Sequence, residues 1–512
     1  MPARPGIIAS FVSAAQERPE RLALVTPAAA VSYGALLSEV CGTADKLRRA
    51  GVQPGDRVMV GMERSHGYVV VVVALLMLGA SVVPVDEDEP EARVTRLRVQ
   101  AGLALTIGRH PRGAEDSGYL QVADDEDLPR ADYDDRFAAS ADPEREVIVF
   151  STSGSTGAPK GVPVSSRAVL AGAQWCHEHV SFGPEDVHVF KTAVSFTSVL
   201  RQVIWPLMTG GQVVILPSDR SRDLLYLGRL LHERNVTVSS FFPSHLGVLM
   251  RRDFPGSLRC VMIGGEPLTA GLVSAFRLRS TSRVLNVYGM TECNIISAAD
   301  CTRLEGAATD VAPLGAAETP GTSLRRPDLS RIEENTDGVE GELYVASNQV
   351  ASGYLGLGNE TAARFPSDPA TGRRLLRTGD LVEVRDGCFF FKERADKRVK
   401  IRGYSIDPSA VERCLRSDIG VDAAVVFKID RGVSDQRLEA AVVTAGQDTR
   451  DQGEILEELR RYLPEYMVPN RVHLMDSLPS TPSGKVDVPE LKNKLGIVHD
   501  HARSPSERYV LP

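Results

Sequence analysis

Short runs rich in Val, Ile and Leu alternate with amphipathic stretches through roughly the first 400 residues, the pattern that builds parallel sheets covered by helices. Residues 57–62, 187–192, 212–216, 236–242 and 259–263 read as strands, and 224–233 as a covering helix. Beyond Asp396 the pattern becomes helix 408–416, strand 422–428, strand 438–444 and helix 454–462. That is a separate α+β unit of about 100 residues, an ordinary domain size. Before it, residues 341–345 and 388–391 predict strands of a smaller β lobe. The expected fold class is α/β: a large N-terminal domain, 1–395, of helix-covered β-sheets with a small β lobe, then a small α+β C-terminal domain, 396–512. Residues 115–146 are acidic and poor in β-branched residues, which predicts an exposed loop or lobe boundary. The last ~15 residues are polar and expected to fray.

Residues 68–85 approach membrane-spanning length. Gly79, Ser81 and Pro84 divide them, and flanking basic anchors are missing. They read instead as a buried helix, 68–78, and a buried strand, 80–85. At 512 residues the chain exceeds one ordinary domain and can bury a large core. A net charge of −8 gives nucleic acid no electrostatic handle and suits anionic membranes poorly. The seven cysteines are scattered without a C-x-x-C pair, which points to reduced thiols in a cytoplasmic protein. The start of the chain has no charged-then-apolar signal pattern. Cys176, His177 and His179 suggest a metal at first sight, but neighbours at i and i+2 do not share a helix face.

Residues 147–150 predict a short buried strand that opens into Ser151-Thr152-Ser153-Gly154-Ser155-Thr156-Gly157-Ala158-Pro159-Lys160-Gly161. Glycines let backbone N–H groups approach phosphate oxygens, hydroxyls add donors, and Lys160 adds a mobile charge. A Gly/Ser-rich loop is often only a turn or linker. A linker would not follow a buried strand so closely and end in Pro-Lys-Gly. The Walker pattern is absent: Lys160 follows a proline, and Val162 stands where a Ser or Thr would bind Mg²⁺. This is a phosphate loop of another type, and an ATP hydrolase or kinase of the Walker kind is disfavoured.

The loop closely resembles that of the adenylate-forming superfamily, which includes acyl-CoA synthetases, luciferases and the adenylation domains of nonribosomal peptide synthetases. The resemblance recurs from about Val31 to Lys485. Residues 77–86 (Met-Leu-Gly-Ala-Ser-Val-Val-Pro-Val-Asp) resemble an early family motif. Tyr288-Gly289-Met290-Thr291-Glu292 resembles the adenine and Mg²⁺ motif, and Arg377-Thr378-Gly379-Asp380 the ribose motif. Glu393-Arg394-Ala395-Asp396 with Val399-Lys400-Ile401-Arg402-Gly403-Tyr404 resembles the hinge and the start of a mobile small domain. Pro482-Ser483-Gly484-Lys485 resembles the final catalytic motif. Order and spacing together make the resemblance specific.

The resemblance implies attack of a carboxylate oxygen on the α-phosphate of ATP, giving an acyl-adenylate and pyrophosphate. Such transfers need positioning and charge stabilisation more than covalent help. Thr152, Ser153, Ser155, Thr156 and Lys160 would hold the β- and γ-phosphates. Gly264-Gly265-Glu266-Pro267 would line the adenine with backbone groups, or is a plain strand-end turn. Asn286 would bond the adenine edge and Tyr288, beside Gly289, would stack on the ring. Thr291 would touch the α-phosphate, and Glu292 would hold Mg²⁺, a hard cation suited to carboxylate oxygen. Asp380 would accept the ribose hydroxyls from a strand end, supported by Arg394. Lys485 would bridge the carboxylate and α-phosphate. Asp396 would be the hinge between that state and a second, in which Lys400 and Gly403 line a tunnel for a phosphopantetheine or CoA thiol.

The chain departs from the amino-acid-activating pattern in the acid pocket. Thr197 follows Phe196 where those members carry an Asp that pairs with the substrate ammonium. Losing one side of such a pair is worth roughly 2–5 kcal/mol, which disfavours a standard α-amino acid. Arg201 lies one turn further on. It either meets an acidic substrate group or is an exposed helix arginine. Ser198, Ser240, Met262, Gly264, Val287, Ile295 and Ile296 complete an expected pocket that is small to medium and largely apolar, with Gly264 leaving depth. No carrier-protein serine motif and no condensation motif is present, which suggests a stand-alone enzyme that loads a carrier protein in secondary metabolism. Acid–CoA ligation and amide formation through the same adenylate remain alternatives. A non-turnover adenylate-binding paralogue is a further reading, against which Lys485, Lys160, Glu292 and Asp380 all speak.

Overall fold

The computed structural model describes residues 6–108, 119–120, 128–134, 142–153, 159–307, 310–317, 321–326, 328–332, 337–396, 398–430, 436–444, 449–479 and 486–497. Ser155, Thr156, Lys485, the Ser153 side chain, most of the acidic stretch and the polar C-terminus lie outside them.

Among the described residues, Arg57–Gly61, Ser81–Val85 and Glu146–Ser153 form the parallel centre of a six-stranded sheet. Pro159–Ser165 pairs antiparallel with Glu146–Ser153 at the sheet's edge, and residues 154–158 between them lie outside the described ones. A second sheet runs Val238–Phe241, Cys260–Gly264, Arg283–Met290, Cys293–Asp300, parallel until the last strand. The helix His66–Leu78 is apolar on every side because it is buried on every side. It begins two residues before the expected Tyr68, because Ser65 caps it by accepting from the Tyr68 N–H at 3.0 Å. Gly79, at φ +79°, ends it in the left-handed region. Among the described residues no helix is long and apolar enough to cross a membrane.

The β lobe is antiparallel, with Glu340–Val345, Leu376–Arg385 and Cys388–Arg394 at its centre. Past it, Val399–Ile401 and Tyr404–Ile406 make a hairpin. The sheet Ala423–Asp430, Gln436–Val443, Arg471–Leu474 packs under helices Pro408–Arg413 and Gln452–Arg460 around a core of its own, from Ile401 to Val472. The expected helix 408–416 divides at Arg413, where a π-helical turn, Cys414–Asp418, takes over. The large, helix-covered α/β domain and the small α+β domain are thus the architecture expected from the alternation of patterns.

The hairpin is where the two units meet. Tyr404 packs edge-on against Phe196 at 4.7 Å and stacks on Tyr466 at 4.1 Å. A cleft of about 1380 Å³ runs beside it, lined by Asp86, Lys191, Phe196, Phe242, His245 and Arg402 among others.

One buried histidine marks the core of the large domain. His188 is 2% exposed, lies 4.6 Å from the Phe182 ring, and its Nε2 has no partner among the described residues. Burial holds its imidazole well below the usual value, against the opposing pull of Asp186. The unfolded chain therefore binds a proton that the folded chain refuses, and stability falls as pH drops below about 6.5. His188→Phe is expected to flatten that acid limb, read as denaturant midpoints at about pH 5 and about pH 7. An unchanged slope would show that other groups set it.

Candidate active site

The strand Arg283–Met290 and its antiparallel partner Cys293–Asp300 are joined by a tight turn that carries Thr291 and Glu292. A Cβ on Gly289 would lie 1.9 Å from the Asn294 carbonyl oxygen, so only glycine fits this approach. Asn286, on the same strand, is buried and donates to the Pro313 carbonyl at 2.7 Å.

Tyr288 donates its hydroxyl to Asp380 Oδ2, and Arg394 donates to Asp380 Oδ1 at 2.6 Å. Asp380 sits within the strand Leu376–Arg385, directly across from Arg394, rather than at a strand end. The left-handed Gly379 (φ +72°) precedes it and turns the strand locally. Arg394 also forks onto Asp396 at 2.9 and 2.7 Å. Burial alone would lower the Arg394 guanidinium; Asp396 and Asp380 outweigh it and raise it. Tyr288, Asp380, Arg394 and Asp396 thus form one network reaching from the second sheet to the start of the small domain.

A second network lies at Glu292, which is 2% exposed. It accepts from the Tyr354 hydroxyl at 2.6 Å, with Arg364 Nε 3.8 Å away. Burial would raise the carboxyl, but Arg364, Arg398 and Tyr354 together hold it below its ordinary range. Lys160 Nζ sits 5.0 Å above the Tyr354 ring, its ammonium lowered by burial and by Arg398. The Thr152 hydroxyl is buried without a partner among the described residues. Burial lowers the Lys400 ammonium, while Asp380 and Glu292 oppose that.

Gly264 and Gly265 end the neighbouring strand, with Gly265 at φ +84°. A Cβ on Gly264 would lie 2.2 Å from the Val287 carbonyl oxygen. The expectation that this glycine leaves pocket depth is corrected: it is there for close strand approach, and the space is filled. The Glu266 carboxylate accepts from the Ser244 N–H and hydroxyl at 2.9 and 3.0 Å, and Pro267 is exposed.

Ser198, Arg201, Ser240, Met262, Gly264 and Val287 line a cavity of about 20 Å³. Phe196 faces the large cleft instead. The Thr197 carbonyl accepts from Asn294 Nδ2 at 3.0 Å, Ile295 lies in the main core, and Ile296 packs with Val162 and Cys293. Arg201 is therefore not an exposed helix arginine. It stands on a π-helical turn, Leu200–Ile204, and its Nε is buried. Sequence reading did not single out Lys191, Phe242, Tyr354, Arg364 or Arg398. Lys191 had a signal, a lysine closing an apolar strand; the others had none in the local pattern.

On the small domain, Gly403 (φ +82°) turns the hairpin so closely that a Cβ would lie 2.3 Å from the Phe242 ring. Lys400 and Gly403 are thus both against the large domain in this structure.

A family model described as AMP-binding enzyme matches residues 11–355, and one described as AMP-binding enzyme C-terminal domain matches 410–485. Tyrocidine synthase 3 of Brevibacillus parabrevis is 32% identical over 484 residues, covering 92% of this chain and 7% of that protein. Vanchrobactin synthetase VabF of Vibrio anguillarum is 30% identical over 505 residues, 93% of this chain and 18% of that protein. The chain therefore spans a small fraction of the length of these relatives. Among solved structures, holo-PA1221, an NRPS protein containing adenylation and PCP domains, superposes with a TM-score of 0.82 at 25% identity, covering 96% of this chain and 84% of that one. The chain belongs to the AMP-binding enzyme family and is an adenylate-forming ligase of the nonribosomal-peptide-synthetase type.

Proposed function

We propose that this enzyme activates a small carboxylic acid with ATP as an acyl-adenylate and then passes the acyl group to a carrier-protein phosphopantetheine thiol in secondary metabolite biosynthesis. The observation that supports it best is the pair of polar networks, Tyr288–Asp380–Arg394 and Glu292–Tyr354–Lys160. Their charges match an adenosine at one end and a polyphosphate at the other.

In this reading Asp380 accepts the ribose hydroxyls, Tyr288 stacks on adenine, and Asn286 with the Gly265–Pro267 backbone meets the ring edge. Thr152, Ser153, Ser155, Thr156 and Lys160 hold the pyrophosphate, and Thr291 holds the α-phosphate. The carboxylate oxygen of the acid attacks the α-phosphorus, and pyrophosphate leaves with the bridging oxygen. The thiolate then attacks the acyl carbon, forming the thioester and releasing AMP. Both steps rely on preorganised charge rather than covalent catalysis.

Among the described residues no cluster of three or more His, Cys, Asp or Glu is built to hold a metal by itself. A single buried, ionised carboxylate fits Mg²⁺ that arrives with the nucleotide, since this ion is commonly bound by one or two carboxylates plus phosphates. Glu292 would hold it, and when bound it would neutralise charge on the departing pyrophosphate.

In this reading the hinge is Asp396, with residues 1–395 and 396–512 as the two bodies. The carrier protein is favoured over CoA as acceptor by the likeness to peptide synthases and by the adenylation–PCP neighbour. The test is acid- and ATP-dependent pyrophosphate release across amino, hydroxy, keto, aryl and dicarboxylic acids. At least one acid is expected to raise release well above the no-acid rate, and Asp380→Asn to raise the KM for ATP roughly tenfold or more. Acid-independent hydrolysis alone would remove the reading.

A further inference from the structure

The small cavity holds two cations and no anion. Arg201 donates to Asn294 Oδ1 at 3.2 Å through one terminal nitrogen, while its Nε is buried with no partner among the described residues. No carboxylate among the described residues forms an ion pair with it. The group that most favours its charge is the Cys176 thiol, which burial keeps neutral. Lys191, 8% exposed, lines the same cavity. Its Nζ lies over the faces of Phe241 and Phe242 at 5.1 and 5.9 Å. Its charged neighbours are Arg64 and Arg201, both cations, and burial brings its ammonium down to about 7.

Buried cations without a counter-charge are costly, and folded chains pair or neutralise them. Here the wall around them is fixed. Gln202 Oε1 accepts from the Lys191 and Thr192 N–H groups at 3.0 and 3.2 Å, and its Nε2 donates to Ser240 Oγ at 3.0 Å. These bonds fix the cavity wall, and Lys191 stands where the small cavity adjoins the large cleft, lining both. The space, about 20 Å³, is little more than one water needs. It suits one compact polar group and excludes an aryl ring or a long aliphatic tail.

We propose that the acid activated by this enzyme carries a second carboxylate, which enters this cavity between Arg201 and Lys191. The inference rests on the adenylation reading above and narrows it to short dicarboxylic acids. A planar carboxylate takes the free edge of a guanidinium in a way a bulkier tetrahedral anion in so small a space does not. The first carboxylate is the one that attacks the α-phosphate; the second stays unreacted and orients the chain.

The test uses pyrophosphate exchange with C4 and C5 dicarboxylic acids, with and without 2-amino, 2-hydroxy and 2-oxo groups. Each is compared with its half-amide at the distal end, which keeps the length and removes the charge. At least one diacid is expected to exceed its half-amide by more than tenfold in kcat/KM. Arg201→Met is expected to raise KM for that diacid at least tenfold with a smaller change in kcat, and to erase the preference over the half-amide. Arg201→Lys is expected to restore part of it. Calorimetric binding of the diacid to wild type and Arg201→Met gives the same comparison without turnover. Half-amides or monocarboxylic acids used as well as the diacids, or a preference that survives Arg201→Met, would overturn the inference and leave adenylation intact. No exchange with any acid would overturn the adenylation reading itself, and this inference with it.

Discussion

Replacing Gly403 by leucine is expected to cut thioester formation by more than about 10²-fold while adenylate formation stays within a few-fold of wild type. The reason is local and steric. Gly403 adopts φ +82°, which side-chain-bearing residues rarely tolerate, and its Cβ position lies 2.3 Å from the Phe242 ring. A side chain there pushes the hairpin away from Phe242, and with it Tyr404 away from Phe196. Misplacing reacting groups by about 1 Å is enough for a 10²-fold loss. The arrangement seen here, with Lys400 and Gly403 against the large domain, is the one proposed for the thiol step. In the proposed two-state reaction the adenylation step uses another orientation about Asp396 and is expected to be spared. Pyrophosphate exchange and acyl transfer to a holo carrier protein, measured on one preparation, separate the two. Equal loss in both assays would sink the two-state assignment. A melting temperature close to wild type guards against simple unfolding of the small domain.

Local periodicity made much of the architecture readable. The strand predicted at 57–62 is Arg57–Gly61, and the helix predicted at 224–233 is Leu224–Glu233. Such elements are written in consecutive residues, where apolar spacing and caps act over a few positions. What the sequence hid depends on contacts between distant segments. Tyr354 reaches Glu292 across 62 positions, and Tyr288 reaches Asp380 across 92. Neither pairing has a local signature. Arg201 is instructive in another way. A regular helix leaves its direction open between solvent and pocket; the π-helical turn Leu200–Ile204, absent from any periodicity argument, goes with its place at the cavity. Gly264 shows the reverse error. A glycine in a pocket-lining position reads as empty space, yet here the backbone of Val287 fills it.

Lys485→Ala is expected to produce the opposite partition to Gly403→Leu. Adenylate formation should fall by roughly 10²–10³-fold or more, the cost of removing a preorganised positive group from a transition state that develops charge. Transfer from chemically supplied acyl-adenylate to the thiol should be largely retained. Lys485 lies outside the described residues, but its segment is bracketed by described ones. The Asp487 N–H donates to the Pro479 carbonyl at 2.8 Å, and Asp487 caps the helix Val488–Lys494 by accepting from the Glu490 N–H at 3.0 Å. Val486, the next residue, packs against the cluster of Val425, Phe427 and Leu491. In the proposed reaction the lysine is delivered by rotation of the small domain, to which Val486 and Asp487 are tied. Lys485→Arg is the control for charge alone: it keeps the cation but changes its reach and shape, and is expected to recover only part of the rate. The two variants, assayed together, form a crossed pair in which each removes one half-reaction and spares the other. Parallel losses in both half-reactions for both variants would mean that a single domain orientation performs the whole reaction.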